Sequence, residues 1–351
     1  MDDFNVNITT DKKTILKGLR FAIVISLAIS ALIILITMDR SSLKEIIIGI
    51  KKEYLIYILL IMFMNWFFAG LRLKTLVETI DNHISLKDCM IIYLSGAFVS
   101  NVTPFATGGG PFQIYFLHRK GVKVGKSSTA IVIQFVLRLF FLGILTPIFF
   151  IFFRDNISSG AIPVYLFYIA FGFGALISIL IIVLTLVPSI TGKLIKLVFK
   201  IKKLRNFIKN NHKAKRWLVK ARKELNEFRY SLEVMSKYKG KLFLAGIYTV
   251  FYWSTIFFVI PLILKGMGIK PYIFKSYIMQ TIFYLVLPYT PIPGASGIAE
   301  VGFASLFVSF IPKNYIGLVT FAWRLFTFHL ILLVGGFFAL REISKKKVIK
   351  S

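Results

Sequence analysis

Apolar residues in this chain come in unbroken blocks of 18 or more, a length that no soluble core requires of helices that are apolar on every side. About 20 helical residues cross roughly 30 Å of hydrocarbon. Only helices and closed barrels satisfy their backbone in lipid. Barrel strands need only about 10 alternating residues, so continuous runs of this length are transmembrane helices. Composition agrees: 57% of the chain is hydrophobic and 17% charged, outside the range of soluble domains. The sequence implies an all-α polytopic integral membrane protein with about six full crossings, at Phe21–Met38, Leu55–Leu73, Ser128–Phe153, Ile162–Val187, Lys241–Leu264 and Tyr315–Leu340. The first run is too long for a signal-peptide core and has no small-residue cleavage site after it, so no cleaved leader is expected.

Two further apolar stretches are broken. Asp88–Val102 runs into Asn101-Val102-Thr103-Pro104-Phe105-Ala106-Thr107-Gly108-Gly109-Gly110-Pro111, and the apolar pattern resumes at Phe112–Leu117. Tyr272–Leu287 runs into Pro288-Tyr289-Thr290-Pro291-Ile292-Pro293-Gly294-Ala295-Ser296-Gly297 and resumes at Ile298–Ile311. No helix continues through such Pro/Gly clusters, so each stretch reads as a hairpin of two half-helices. Spacing suggests one motif used twice. Thr103-Pro104 matches Thr290-Pro291, Gly110 and Gly297 each lie seven residues after the threonine, and Gln113 and Glu300 each lie ten after it. Arg138 follows Gln113 by 25 residues and Arg324 follows Glu300 by 24, each inside the next long span. The expected organisation is a single membrane domain over 1–351, with repeats at 88–153 and 272–340 and a basic cytoplasmic segment at 190–240.

The net charge of +29 does not call for nucleic acid, because the Lys and Arg sit in loops, where basic excess marks the cytoplasmic side. Lys193–Lys223 holds thirteen Lys or Arg and no acid, interleaved with apolar residues. It reads either as an amphipathic helix on anionic lipid headgroups or as a solvated loop. The same rule places both termini in the cytoplasm and makes the hairpins re-entrant from opposite sides, an inverted repeat; the basic outer loop at Lys265, Lys270 and Lys275 runs against it. Inverted pairs of broken helices form the midplane sites of secondary transporters.

Arg138 and Arg324 each cost at least about 2.5 to 3.5 kcal/mol at mid-span, so each needs a partner. That partner is either a substrate phosphate, which suits the planar guanidinium fork, or the Glu300 carboxylate, and the two can alternate. Glu300, early in its half-helix, is either a cap favoured by the helix dipole or a coupling site. Gly108, Gly109 and Gly110 either present backbone N–H groups to an anion or allow close helix packing. Asn101, Thr103 and Gln113 bond either substrate or unwound backbone, and Thr290, Gly294 and Gly297 complete the candidate set from the second break. Lone Cys89 allows no intrachain disulfide. No metal or cofactor site is evident, and Walker, His-Glu-x-x-His and nucleophile-elbow signatures are missing.

Asn101-Val102-Thr103-Pro104 with Gly108-Gly109-Gly110, then Arg119-Lys120-Gly121 and Arg138, resembles the first signature of the lysylphosphatidylglycerol synthase transmembrane, or flippase-like, family. Pro293-Gly294, Gly297 and Glu300 resemble the second. The resemblance implies a lipid translocase at the cell membrane, carrying aminoacylated phosphatidylglycerol, another phospholipid or an isoprenoid-linked lipid. In fused members of the family it also implies a cytoplasmic domain that transfers lysine from lysyl-tRNA to phosphatidylglycerol and protects against cationic antimicrobial peptides. Only residues 341–351 follow Leu340 here, so no catalytic residue is expected in this sequence. A lipid-modifying enzyme and a non-transporting scaffold are the alternatives, and a homo-oligomer or a separate lipid-modifying partner is compatible with each.

Overall fold

Backbone that cannot reach water must pair with itself, and among the described residues it does so in helices, with no strand. The computed structural model describes residues 51–80, 84–157 and 230–344, together with isolated helical positions at 24, 28, 32, 35, 172, 176, 179 and 228. The elements are α1 (Glu53–Ile80), α2 (Leu86–Val102), α3 (Gly109–Arg119), α4 (Val124–Ile157), α5 (Lys239–Gly266), α6 (Ile273–Val286), α7 (Ile298–Phe307), α8 (Lys313–Arg324) and α9 (Leu330–Ser344). A π-helical segment, Leu325–His329, joins α8 to α9 without a break.

Among the described residues, four stretches are long and apolar enough to cross a membrane: Glu53–Ile80, Val124–Ile148, Lys239–Gly266 and Lys313–Ile343. They contain or overlap four of the expected crossings. The other two, Phe21–Met38 and Ile162–Val187, apart from the isolated helical positions named above, and the basic run Lys193–Lys223 lie outside the described residues. Helices α1 and α5 pair antiparallel along their length. At one end Lys51 N donates to Gly266 O (2.9 Å), and at the other Lys241 Nζ donates to Glu78 O (3.3 Å).

Two hairpins fill the space beside this pair. In the first, Ser85 caps α2 by accepting from Asp88 N (3.1 Å), and the Asp88 carboxylate meets Lys120 Nζ (2.6 Å) just beyond α3. The start of α2 and the end of α3 are thus tied at one base. In the second, the Tyr272 ring before α6 lies 5.4 Å from the Phe310 ring after α7, so that hairpin also closes on its own base. The first base shares its end of the molecule with α9, through Arg119 Nη1 to Glu342 O (2.6 Å). The second base follows directly from Gly266, at the other end of the α1–α5 pair. Each hairpin has its own apolar core: Leu76, Cys89, Phe116 and Leu117 around the first, Phe257, Phe303, Phe307 and Trp323 around the second.

The tips meet. Phe105 N donates to Thr290 O (3.2 Å), one broken backbone satisfying the other. Both tips turn in the same way, with Phe105 (φ 53) and Ala106 (φ 53) in one and Gly294 (φ 59) and Ala295 (φ 51) in the other. Left-handed backbone costs about 1–2 kcal/mol at each non-glycine position, so packing must hold it there. Gly294 has a second requirement, because a Cβ there would lie 2.9 Å from Asn101 O and against the Phe328 ring.

Close approach also explains two glycines of the first break. A Cβ on Gly109 would strike Ser100 Oγ and lie 2.7 Å from Gly96 O, and one on Gly108 would lie 2.7 Å from Val99 Cγ1. Gly109→Val is expected to lower stability by about 1–3 kcal/mol, as overpacking does, in thermal unfolding of the detergent-solubilised protein. Gly246→Ala, with no described atom within 4 Å of its new Cβ, is expected to leave stability unchanged or slightly raised.

Candidate functional site

Arg324 ends α8 where the helix widens into its π segment, a distortion often found at functional sites. Arg324 is 3% exposed, and its guanidinium bonds the second hairpin twice. Nε donates to Glu300 Oε1 (2.8 Å) and Nη2 to Gly294 O at the tip (3.0 Å), while the Phe328 ring covers one face at 4.0 Å. Glu300, with no exposed surface, is the third residue of α7, and its Oε2 accepts from Gly297 N (2.7 Å). One carboxylate therefore satisfies a helix N-terminus and a buried cation together. Of the two partners open to Arg324 from sequence, the structure holds the carboxylate.

The other candidates from the breaks serve backbone and packing. Thr103 Oγ1 donates to Val99 O (2.9 Å) and accepts from Gly108 N (3.0 Å), bridging the end of α2 to the start of α3. Thr290 Oγ1 donates to Leu287 O (2.8 Å), and its carbonyl takes the tip bond from Phe105. The Asn101 carbonyl faces Gly294, and a Cβ added at Gly110 would lie 3.7 Å from Ile131 Cγ2, in ordinary contact. Gln113 is buried against Gly96, and its Oε1 lacks a hydrogen-bond partner.

Gln113 does not stand where Glu300 stands. Backbone conformation aligns Pro104-Phe105-Ala106 with Pro293-Gly294-Ala295, so Gly108 and Gly297 become the equivalent N-caps. Glu300 then corresponds to Pro111, with Gln113 two residues further along. The second break carries two extra residues, Pro291 and Ile292, between its threonine and the turn, which displaces the register that spacing suggested.

Arg138 lies apart from this clasp. Its Nη2 donates to Tyr284 O (3.2 Å) and it rests 5.5 Å from the Trp253 ring, while its Nε has no partner. Beside it is a residue that sequence reasoning passed over. Arg72 is 3% exposed, 4.8 Å over the Tyr252 ring, and neither its Nε nor its Nη1 has a hydrogen-bond partner. The span expected from hydropathy stops at Leu73, whereas α1 runs on to Ile80 and leaves Arg72 about 12 Å inside the helix end. The signal was present in Leu73, Leu76, Val77 and Ile80, whose helical spacing continues the buried face. Among the described residues, no group of three His, Cys, Asp or Glu side chains could hold a metal ion.

Residues 23–335 match the family model described as the lysylphosphatidylglycerol synthase TM region. The chain belongs to this family. Its relatives include a UPF0104 membrane protein of Archaeoglobus fulgidus, 28% identical over 94% of this chain and 98% of the relative. A UPF0104 membrane protein of Methanocaldococcus jannaschii is 27% identical over 92% of this chain and 96% of its own length. No solved structure matches. For this member of the lysylphosphatidylglycerol synthase TM family, the comparisons support a membrane protein.

Removing one partner of a buried ion pair leaves the other uncompensated and costs about 3–5 kcal/mol, whereas removing both costs much less. Arg324→Met alone is expected to be destabilising by about that amount. Combining it with Glu300→Gln should recover most of the loss in a double-mutant cycle read by thermal unfolding.

Proposed function

We propose that this protein is a flippase-like lipid translocase that moves a phosphate-containing lipid between leaflets. The reading rests on the two hairpins meeting tip to tip through Phe105 and Thr290, with the buried Arg324 bonded to the second tip at Gly294. Irregular backbone at membrane depth is tolerable where it lines a polar cavity, and a seam between opposed half-helices is where such a cavity serves a transported group. In this reading the hairpins are re-entrant from opposite faces, an inverted pair. The base at Asp88 and Lys120 faces the cytoplasm, together with the ends of α1 and α9.

The headgroup travels along the seam while its acyl chains stay in lipid. A phosphate offers two oxygens to the fork of Arg324, the geometry that Glu300 satisfies in part through Nε. Exchange of carboxylate for phosphate on Arg324 frees Glu300 and loosens the Gly294 tip, so occupancy and seam opening are coupled. Aminoacylated phosphatidylglycerol, another phospholipid or an isoprenoid phosphate all present the same group to the arginines.

The test is leaflet exchange in liposomes carrying the purified chain and labelled lysylphosphatidylglycerol, phosphatidylglycerol or an isoprenoid phosphate. At least one lipid is expected to exchange, and Arg324→Ala to slow it by about 10-fold or more, the loss of a charge-assisted contact. Exchange of none of the three contradicts the proposal. Transfer of lysine from lysyl-tRNA by this chain alone would replace it with an enzyme.

A further inference from the structure

We infer that Arg72 and Arg138, with the Tyr93–Tyr252 hydroxyl pair, form a phosphate-binding site distinct from the Arg324–Glu300 clasp. The inference deepens the translocase reading and rests on it for the source of the phosphate. Arg72 comes from α1, Tyr93 from α2, Arg138 from α4 and Tyr252 from α5, so four separate elements converge. Arg72 lies 4.8 Å over the Tyr252 ring and Arg138 lies 5.5 Å from the ring of the adjacent Trp253, the two rings 5.2 Å apart.

Two arginines in this position need an anion. Among the described residues neither pairs with a carboxylate, and the buried Glu300 is already engaged by Arg324 and Gly297. A buried cation without a counter-charge costs several kcal/mol, and ionisable residues at membrane depth mark substrate paths. The open donors are specific: Nε and Nη1 of Arg72 and Nε of Arg138. The tyrosines add one more. Tyr93 and Tyr252 lie 2.9 Å apart, oxygen to oxygen, and that bond uses one of their two hydroxyl protons, leaving the other for an external acceptor.

Donors on two guanidinium groups plus a phenol exceed what a carboxylate can accept from one direction and suit a phosphate monoester or diester. The site is also placed for loading. Tyr93 is about 10 Å and Arg72 about 12 Å from the helix ends at the first hairpin's base. Arg138 leads onward, because it bonds the carbonyl of Tyr284, and the ring of the preceding Phe283 lies 5.6 Å from that of Trp323, the neighbour of Arg324.

The experiment is calorimetric titration and thermal unfolding of the full chain in detergent. The probes are inorganic phosphate, dihexanoyl phosphatidylglycerol and dihexanoylglycerol, which lacks the phosphate. Both phosphate compounds are expected to bind and raise Tm, and dihexanoylglycerol to do neither. Arg72→Gln should weaken binding by about 10-fold or more while raising or preserving the ligand-free Tm, because an uncompensated buried charge is removed. Lys313→Gln, an exposed lysine at the opposite end of the molecule, should change neither. Unchanged affinity in Arg72→Gln, or no binding of either phosphate compound to the wild type, overturns the site. Binding of inorganic phosphate without the short-chain lipid supports the site and removes phosphatidylglycerol as the source of its phosphate.

Discussion

The Glu300 carboxylate has two obligations, and the second hairpin depends on both. Its Oε2 takes the first free N–H of α7 at Gly297, and its Oε1 takes Arg324 Nε from the neighbouring helix. Arg324 then reaches back with Nη2 to the Gly294 carbonyl, so the unwound turn is held by the helix that follows it. In lipid there is no water to satisfy Gly297 N–H or Gly294 C=O, and each would cost several kcal/mol if left open. A single buried ion pair thus makes a broken helix tolerable. It also makes that break responsive to anything that competes for Arg324.

The first hairpin is held differently. It has no internal charge at its tip; Thr103 bridges the break, glycines bring α2 and α3 together, and Phe105 N–H is satisfied by the second hairpin's Thr290. One tip is therefore anchored by its own side chains and the other leans on it. Arg72, over Tyr252, and Arg138, against Tyr284 of the second hairpin, have no acid of their own among the described residues. The asymmetry separates a tip locked by an ion pair from one held by neutral hydrogen bonds.

Much of this architecture was legible because lipid leaves so few options. Four apolar blocks became helices, and both Pro/Gly clusters became breaks between half-helices, since backbone sterics alone forbid anything else. The pairing of Arg324 with Glu300 was one of two readings that charge alone allowed. The register of the two breaks was not legible. Thr-Pro recurs at both, yet the turn geometry follows the later Pro293-Gly294-Ala295, and only the φ angles reveal it. Arg72 was missed because a hydropathy boundary at Leu73 was taken for the end of a span, whereas α1 stays buried along one face to Val77 and continues to Ile80. Tyr93 and Tyr252, 159 residues apart, meet only through tertiary packing.

The central claim is that the two hairpins are based at opposite faces and meet in between. It is tested most directly by labelling single cysteines in sealed vesicles with a membrane-impermeant maleimide, in a background where the buried Cys89 is replaced by serine. Lys123→Cys follows the first hairpin and Lys313→Cys follows the second, both at exposed positions. The account predicts that reagent outside the vesicles labels one of them and that labelling of the other requires permeabilisation. Labelling of both from the same side would contradict it.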